Sequence, residues 1–141
     1  MNLFFDTSAL IKKYVIENGS DEVLELMNRA DQIFVSVITE IEAHSAFKRL
    51  LSEKAVNEYD YKTLINEFDA DYQYFTRINI DDFVLKNAKL LIERHQLKTL
   101  DSIQMGTALL LKDDIDCLVS CDARMIRSGK KEGLKTADPS A

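Results

Sequence analysis

Two apolar patterns alternate along this chain, and their alternation restricts the fold more than any other feature. Short runs rich in aromatic and β-branched residues, such as Leu3-Phe4-Phe5 and the segment 33–37, read as buried strands. Longer stretches separate them, with apolar side chains at helical spacing. From Thr39 onward, Ala43, Ala46, Phe47 and Leu50 fall on one helical face. The spacing predicts strands at 2–5, 33–37, 77–80, 117–121 and 134–136. It predicts helices from Thr7 or Ser8 with those hydroxyls as caps, over 20–30 behind an Asn18-Gly19-Ser20 turn, from Thr39, and over 57–74. Another opens at Asp81-Asp82, with Val84, Ala88, Leu91 and Ile92 on one side. The segment 99–112 is apolar almost all round and should be a central buried helix. A last helix over 123–131 closes at Gly133.

Strands alternating with helices predict an α/β fold in three layers. A central, mostly parallel sheet of four to five strands carries helices on both faces. The 141 residues hold no linker or repeat and fit one domain over 1–141, while four Gly and one Pro argue against a turn-rich all-β fold. No basic region followed by a long apolar stretch opens the sequence. The apolar run 108–111 is far too short to span a bilayer. A cytoplasmic protein without a membrane partner is expected. Cys117 and Cys121, four residues apart on one strand, would lie roughly 13 Å apart. That is too far for a disulfide, and no second Cys/His pair suggests zinc. Two buried thiols are expected.

The chemistry sits in the acids. Two predicted strands end in one: Leu3-Phe4-Phe5-Asp6 and Leu118-Val119-Ser120-Cys121-Asp122. A parallel sheet places both at its carboxyl edge, where open α/β sheets bind ligands. Glu42 and Asp101 lie near the starts of helices that begin at the same edge. Each acid also has a plain alternative: Asp6 and Asp122 as helix caps, Asp101 as a partner of its helix dipole, Glu42 as a solvated side chain. Asp101 fits its alternative least, since Leu100, Ile103, Met105 and Ala108 predict burial and no Lys or Arg follows it one turn along the helix. Carboxylates without His or Cys favour a hard cation, Mg²⁺ or Mn²⁺, and the chemistry that most often uses such a cluster is phosphodiester hydrolysis.

Four segments carry a resemblance. Phe5-Asp6-Thr7-Ser8-Ala9-Leu10, Ser36-Val37-Ile38-Thr39-Glu40-Ile41-Glu42, Leu100-Asp101-Ser102-Ile103-Gln104-Met105 and Val119-Ser120-Cys121-Asp122 stand in the order of four motifs across nearly the whole chain. With them the sequence resembles the PIN-domain family, and within it the VapC-type toxins of bacterial and archaeal toxin–antitoxin pairs. The resemblance implies a PIN-like fold and a ribonuclease using Mg²⁺ or Mn²⁺ on RNA. It also implies an antitoxin that blocks the cleft, and commonly a homodimer. Asp6 and Asp101 would then be the principal metal ligands, with Glu42 and Asp122 completing the site, Asp122 through water. Thr7 or Ser8 would add a hydroxyl near the metal or substrate.

Water attack on a phosphodiester, activated by a metal between Asp6 and Asp101, follows from that reading. His44 and His95 match none of the motifs and are expected to be structural or surface residues. The net charge of −6 opposes generic nucleic-acid binding, but RNA answers to the local field. Arg124, Arg127 and Lys131 share one face of the helix after Asp122 and are candidate phosphate contacts, with Lys12 and Lys13 a second pair. Aromatic residues of 58–75, among them Tyr59, Tyr61 and Tyr74, are candidates for a groove that receives an antitoxin helix or a second subunit. Two alternatives compete: a non-catalytic module of the same fold whose acids only cap helices, and another metal-dependent phosphoesterase. A phosphatase of the haloacid dehalogenase type needs a second Asp at position 8, which is Ser8 here.

Overall fold

The computed structural model describes residues 1–141, and in it the short apolar runs are strands and the periodic stretches helices. The chain runs β1 (Asn2–Phe5), α1 (Thr7–Leu10) continuing into a 3₁₀ turn (Ile11–Lys13), α2 (Ser20–Arg29), β2 (Gln32–Ser36), α3 (Ile38–Ser52) and α4 (Glu58–Tyr72). It continues through β3 (Thr76–Ile78), α5 (Asp82–His95), α6 (Thr99–Leu110), β4 (Cys117–Val119), α7 (Ala123–Lys131) and β5 (Thr136–Ala137). All five strands are parallel, in the order β3-β2-β1-β4-β5.

Side-chain alternation along these strands creates two cores. Leu3, Phe5, Val35 and Val119 point to one face and pack with residues of α1 to α4, including Phe47, Phe68 and Tyr72. Phe4, Phe34 and Leu118 point to the other face and meet Leu91, Met105 and Met125 of α5, α6 and α7. Strands covered on both faces must be apolar on both, which is why β1 reads as an unbroken run. The chain steps outward from β1 to β2 and β3, then crosses to β4 and β5 on the far side of β1. With the usual right-handed crossovers, that reversal puts the two helix groups on opposite faces. It also opens a crevice beyond the carboxyl ends of β1 and β4.

Some local expectations change. Thr7 and Ser8 do not cap α1; Asp6 holds the N-cap position. Ser20 lies inside α2, and Gly19 takes the cap with φ of 97°, a conformation that favours glycine. Asn57 and Asp81 cap α4 and α5 through Asp60 N and Val84 N. β4 ends at Val119 because the Cys121 N–H leaves the sheet and donates to Ser8 Oγ at 3.0 Å. Ile92 and Leu100 are exposed, so α5 and α6 bury narrower stripes than their composition suggests. Cys117 and Cys121 are unpaired and half-buried. No helix is long and apolar enough to cross a membrane.

Helices α5 and α6 meet closely at Gly106, where a Cβ would stand 2.9 Å from the backbone oxygen of Val84. A backbone atom cannot swing aside as a side-chain end can. Gly106→Ala is expected to lower the unfolding free energy by about 1–2 kcal/mol, because overpacking outweighs the ~1 kcal/mol helix-propensity gain. Urea denaturation reads this directly, and an unchanged or stabilised variant would show that the α5–α6 contact yields.

Candidate active site

β1 and β4 are adjacent parallel strands, so their ends deliver Asp6 and the segment Ser120-Cys121-Asp122 side by side. Asp6 is only 4% exposed. Although it holds the N-cap position of α1, its side chain makes no capping bond. Its Oδ2 instead accepts hydrogen bonds from Ser8 Oγ at 2.9 Å and Ser120 Oγ at 2.7 Å. Ser120 Oγ also accepts from the Asp122 N–H at 3.1 Å. The hydroxyl thus ties the two strand ends together through the acid. Asp6 Oδ1 makes no hydrogen bond with the chain.

Burial raises the Asp6 pKa from 3.8 to about 6; the two serine hydroxyls oppose the rise, and the charges of Glu42 and Asp101 add to it. Asp101, in the first turn of α6, is half-buried rather than buried. Its pKa is raised by burial first, then by the charges of Asp122 and Glu42, while Lys98 and Arg124 pull the other way. Neither cation forms an ion pair with it. The four acids therefore act on one another although they come from four separate segments.

Glu42 lies one turn into α3. Its Oε1 accepts from Thr7 Oγ1 at 2.9 Å and from Gln104 Nε2 at 2.7 Å. Asp122 does cap its helix: Oδ1 accepts from Arg124 N at 2.8 Å and Met125 N at 3.1 Å. The capping alternative thus fails for Asp6 and holds for one oxygen of Asp122.

Residues 3–131 match the family model described as PIN domain. The chain belongs to the PIN domain family. Comparison with curated proteins gives no match. Among solved structures, the chain is similar to a toxin–antitoxin complex from Klebsiella pneumoniae, with a TM-score of 0.69, 20% identity and 97% of each chain covered. It is similar to FitAcB from Neisseria gonorrhoeae, at a TM-score of 0.74, 14% identity and 97% of each chain. It also resembles VapC20 of Mycobacterium tuberculosis, described as a sarcin–ricin loop cleaving toxin, at 0.66, 12% identity, 94% of this chain and 95% of that one. At these identities the likeness is one of fold.

Beside the acids, this PIN domain opens a polar trench. A cleft of about 500 Å³ is lined by Lys98, Asp101, Asp122, Arg124 and Arg127 among others. Arg124 and Arg127 also line the next cleft, with Arg94 and Lys131. The two clefts share Arg124 and Arg127. His95 borders the far cleft but is tied to Glu132 at 2.7 Å, and exposed His44 meets Tyr61.

Ser8 is a buttress rather than a free substrate contact: its hydroxyl donates to Asp6 and accepts from Cys121 N. Lys12 and Lys13 are not free for phosphates. Lys12 is 9% exposed and bound to the Asn18 carbonyl at 2.7 Å and Glu17 at 3.1 Å, and Lys13 pairs with Asp71. The sequence reading missed Ser120, Thr39, Gln104 and Lys98. Polar residues inside otherwise apolar segments, Ser120 and Gln104 above all, were the available signal.

As the side chains stand, no three His, Cys, Asp or Glu form a group that could hold a metal ion. One oxygen of Glu42 is engaged by Gln104 and Thr7, and one oxygen of Asp122 by the α7 N-terminus. The donor chemistry nevertheless fits a hard divalent cation. Asp6 Oδ1 and both Asp101 oxygens make no hydrogen bond with the chain, and two acids have pKa values raised partly by the like charge of their neighbours.

Because the folded-state value of Asp6 is the higher one, the unfolded chain ionises first as pH rises above about 4. Folded stability then falls until Asp6 itself ionises near 6. Asp6→Asn removes that loss and keeps an acceptor for both serines. Without metal, Asp6→Asn is expected to match wild type near pH 4 and to exceed it at pH 7 by up to about 3 kcal/mol, the worth of a two-unit shift. Thermal melts in chelator at both pH values measure it; equal stability at pH 7 would mean the carboxylate is not strained.

Proposed function

We propose that this PIN domain is a Mg²⁺- or Mn²⁺-dependent endoribonuclease, the toxin of a VapBC-type toxin–antitoxin pair. The observation that carries the reading is the buried Asp6, with a raised pKa and a free oxygen, coupled to Glu42 and to Asp101, which lines a cleft with Asp122, Arg124 and Arg127. The toxin–antitoxin complexes among the similar structures support the antitoxin as partner.

Asp6 and Asp101 would hold the ion, with Glu42 Oε2 and Asp122 Oδ2 completing its surroundings. A bound divalent ion would supply positive charge to the scissile phosphodiester and make an attacking water more acidic. Arg124, Arg127 and Lys98 would bind the flanking phosphates and set the direction in which RNA lies. Asp6 sits too deep for water to reach freely, so its charge would act on the ion rather than be screened. No histidine is placed to act as a general base beside the acids. Of the aromatic residues of 58–75, the exposed Tyr59 and Tyr74 would be covered by an antitoxin helix or a second subunit. The outer face of α5, with Phe83 and Leu90, would pair two copies.

Cleavage of a mixed RNA substrate in Mg²⁺ or Mn²⁺ tests the reading. Wild type should cut and lose activity in chelator, while Asp6→Asn and Asp101→Asn should fall on the order of 100-fold or more. Equal cleavage by all three proteins would overturn the mechanism. Arg127→Ala should weaken RNA binding across sequences and reduce the salt slope by about one, with the fold unchanged.

A further inference from the structure

Gln104 lies one turn beyond Asp101 on α6 and is fully buried. Its amide nitrogen is the hub of a small polar network. Nε2 stands 2.7 Å from Glu42 Oε1, and 3.1 Å from both Thr7 Oγ1 and Thr39 Oγ1. Thr7 Oγ1 is in turn 2.9 Å from Glu42 Oε1 and 3.1 Å from Thr39 Oγ1. The network joins the residue after Asp6, the first turn of α3 and the helix of Asp101. It holds one oxygen of Glu42 and leaves the other uncommitted.

The amide oxygen of Gln104 has no hydrogen-bond partner although it is buried. Such an orphan is unfavourable and offsets part of what the Nε2 hydrogen bonds contribute. Turning the amide over would not relieve it, because oxygen would then face the Glu42 carboxylate at the same short distance. Glu42 therefore dictates how the amide lies. The amide is thus committed to the Glu42 carboxylate and aims it.

We propose that Gln104 is a positioning residue that fixes the Glu42 carboxylate relative to Asp6 and Asp101 and thereby sets the divalent-ion affinity of the site. This rests on the metal-dependent reading above. Groups that orient a ligating side chain commonly matter for affinity almost as much as the ligand does.

The test is Mn²⁺ binding to the intact protein, followed by electron paramagnetic resonance of the free ion. Wild type, Gln104→Met, Glu42→Gln and the double variant are compared, with thermal melts in chelator. Gln104→Met should still melt cooperatively yet bind Mn²⁺ about 10- to 100-fold more weakly. In the Glu42→Gln background the same substitution should cause no further loss, since the residue acts through Glu42. Gln104→Asn, which withdraws the amide by one methylene, should weaken binding as well and serves if the methionine variant does not fold. Mn²⁺ affinity unchanged in the Gln104 variants, or a loss as large without Glu42 as with it, would overturn the proposal while leaving the metal site standing. Absence of saturable Mn²⁺ binding in wild type would overturn both.

Discussion

Asp6 stands where two parallel strands end, almost wholly out of water, and its ionised form is stabilised by serine hydroxyls on one oxygen only. Desolvation outweighs those hydroxyls and lifts its pKa to about 6. Much of the surrounding structure follows from accommodating that charge. Ser8 and Ser120 turn inward, and the Cys121 N–H is satisfied by Ser8 instead of a neighbouring strand. A structural aspartate at this N-cap position would bond the helix N–H groups, as Asp122 does on α7.

The fold supplies the place for this charge. A sheet that winds outward in both directions from its middle leaves a gap between helices of opposite faces, above the strands where the winding reverses. β1 and β4 are those strands, and each feeds its acid into the gap. α3 and α6 come from opposite layers, and the Gln104–Glu42 bond closes them over the same point. The site is thus assembled from both cores, and the buried polar network of Thr7, Thr39 and Gln104 is the seam between them.

The overall acidity of the chain misleads about its surface. Of the positive charges, Lys12 and Lys13 are tied to neighbouring acids or carbonyls, whereas Arg124 and Arg127 are exposed on consecutive turns of the helix that starts at Asp122. A polyanion approaching the trench meets arginines beside carboxylates, and the field at that spot has little to do with a net charge of −6.

The sequence by itself determined the layers. Short apolar runs rich in aromatic and β-branched residues read as strands covered on both faces, and the helical periods between them leave a parallel α/β sheet as the arrangement that buries both. It also placed Asp6 and Asp122 at strand ends, because in such a sheet chain direction alone decides the edge. Three matters waited for the tertiary structure. Depth was one: Asp101, flanked by apolar neighbours, is only half-buried, while Asp6 is the sequestered acid, since burial depends on which elements cover a residue rather than on its neighbours in sequence. The partners of Glu42 were another, coming from residues 7 and 104, whose meeting depends on how α6 docks against α3. The last was the role of hydroxyls and amines. Ser8, Lys12 and Lys13 look available in the sequence and are engaged in the fold, because a polar group close to a packed core takes the nearest partner that satisfies it.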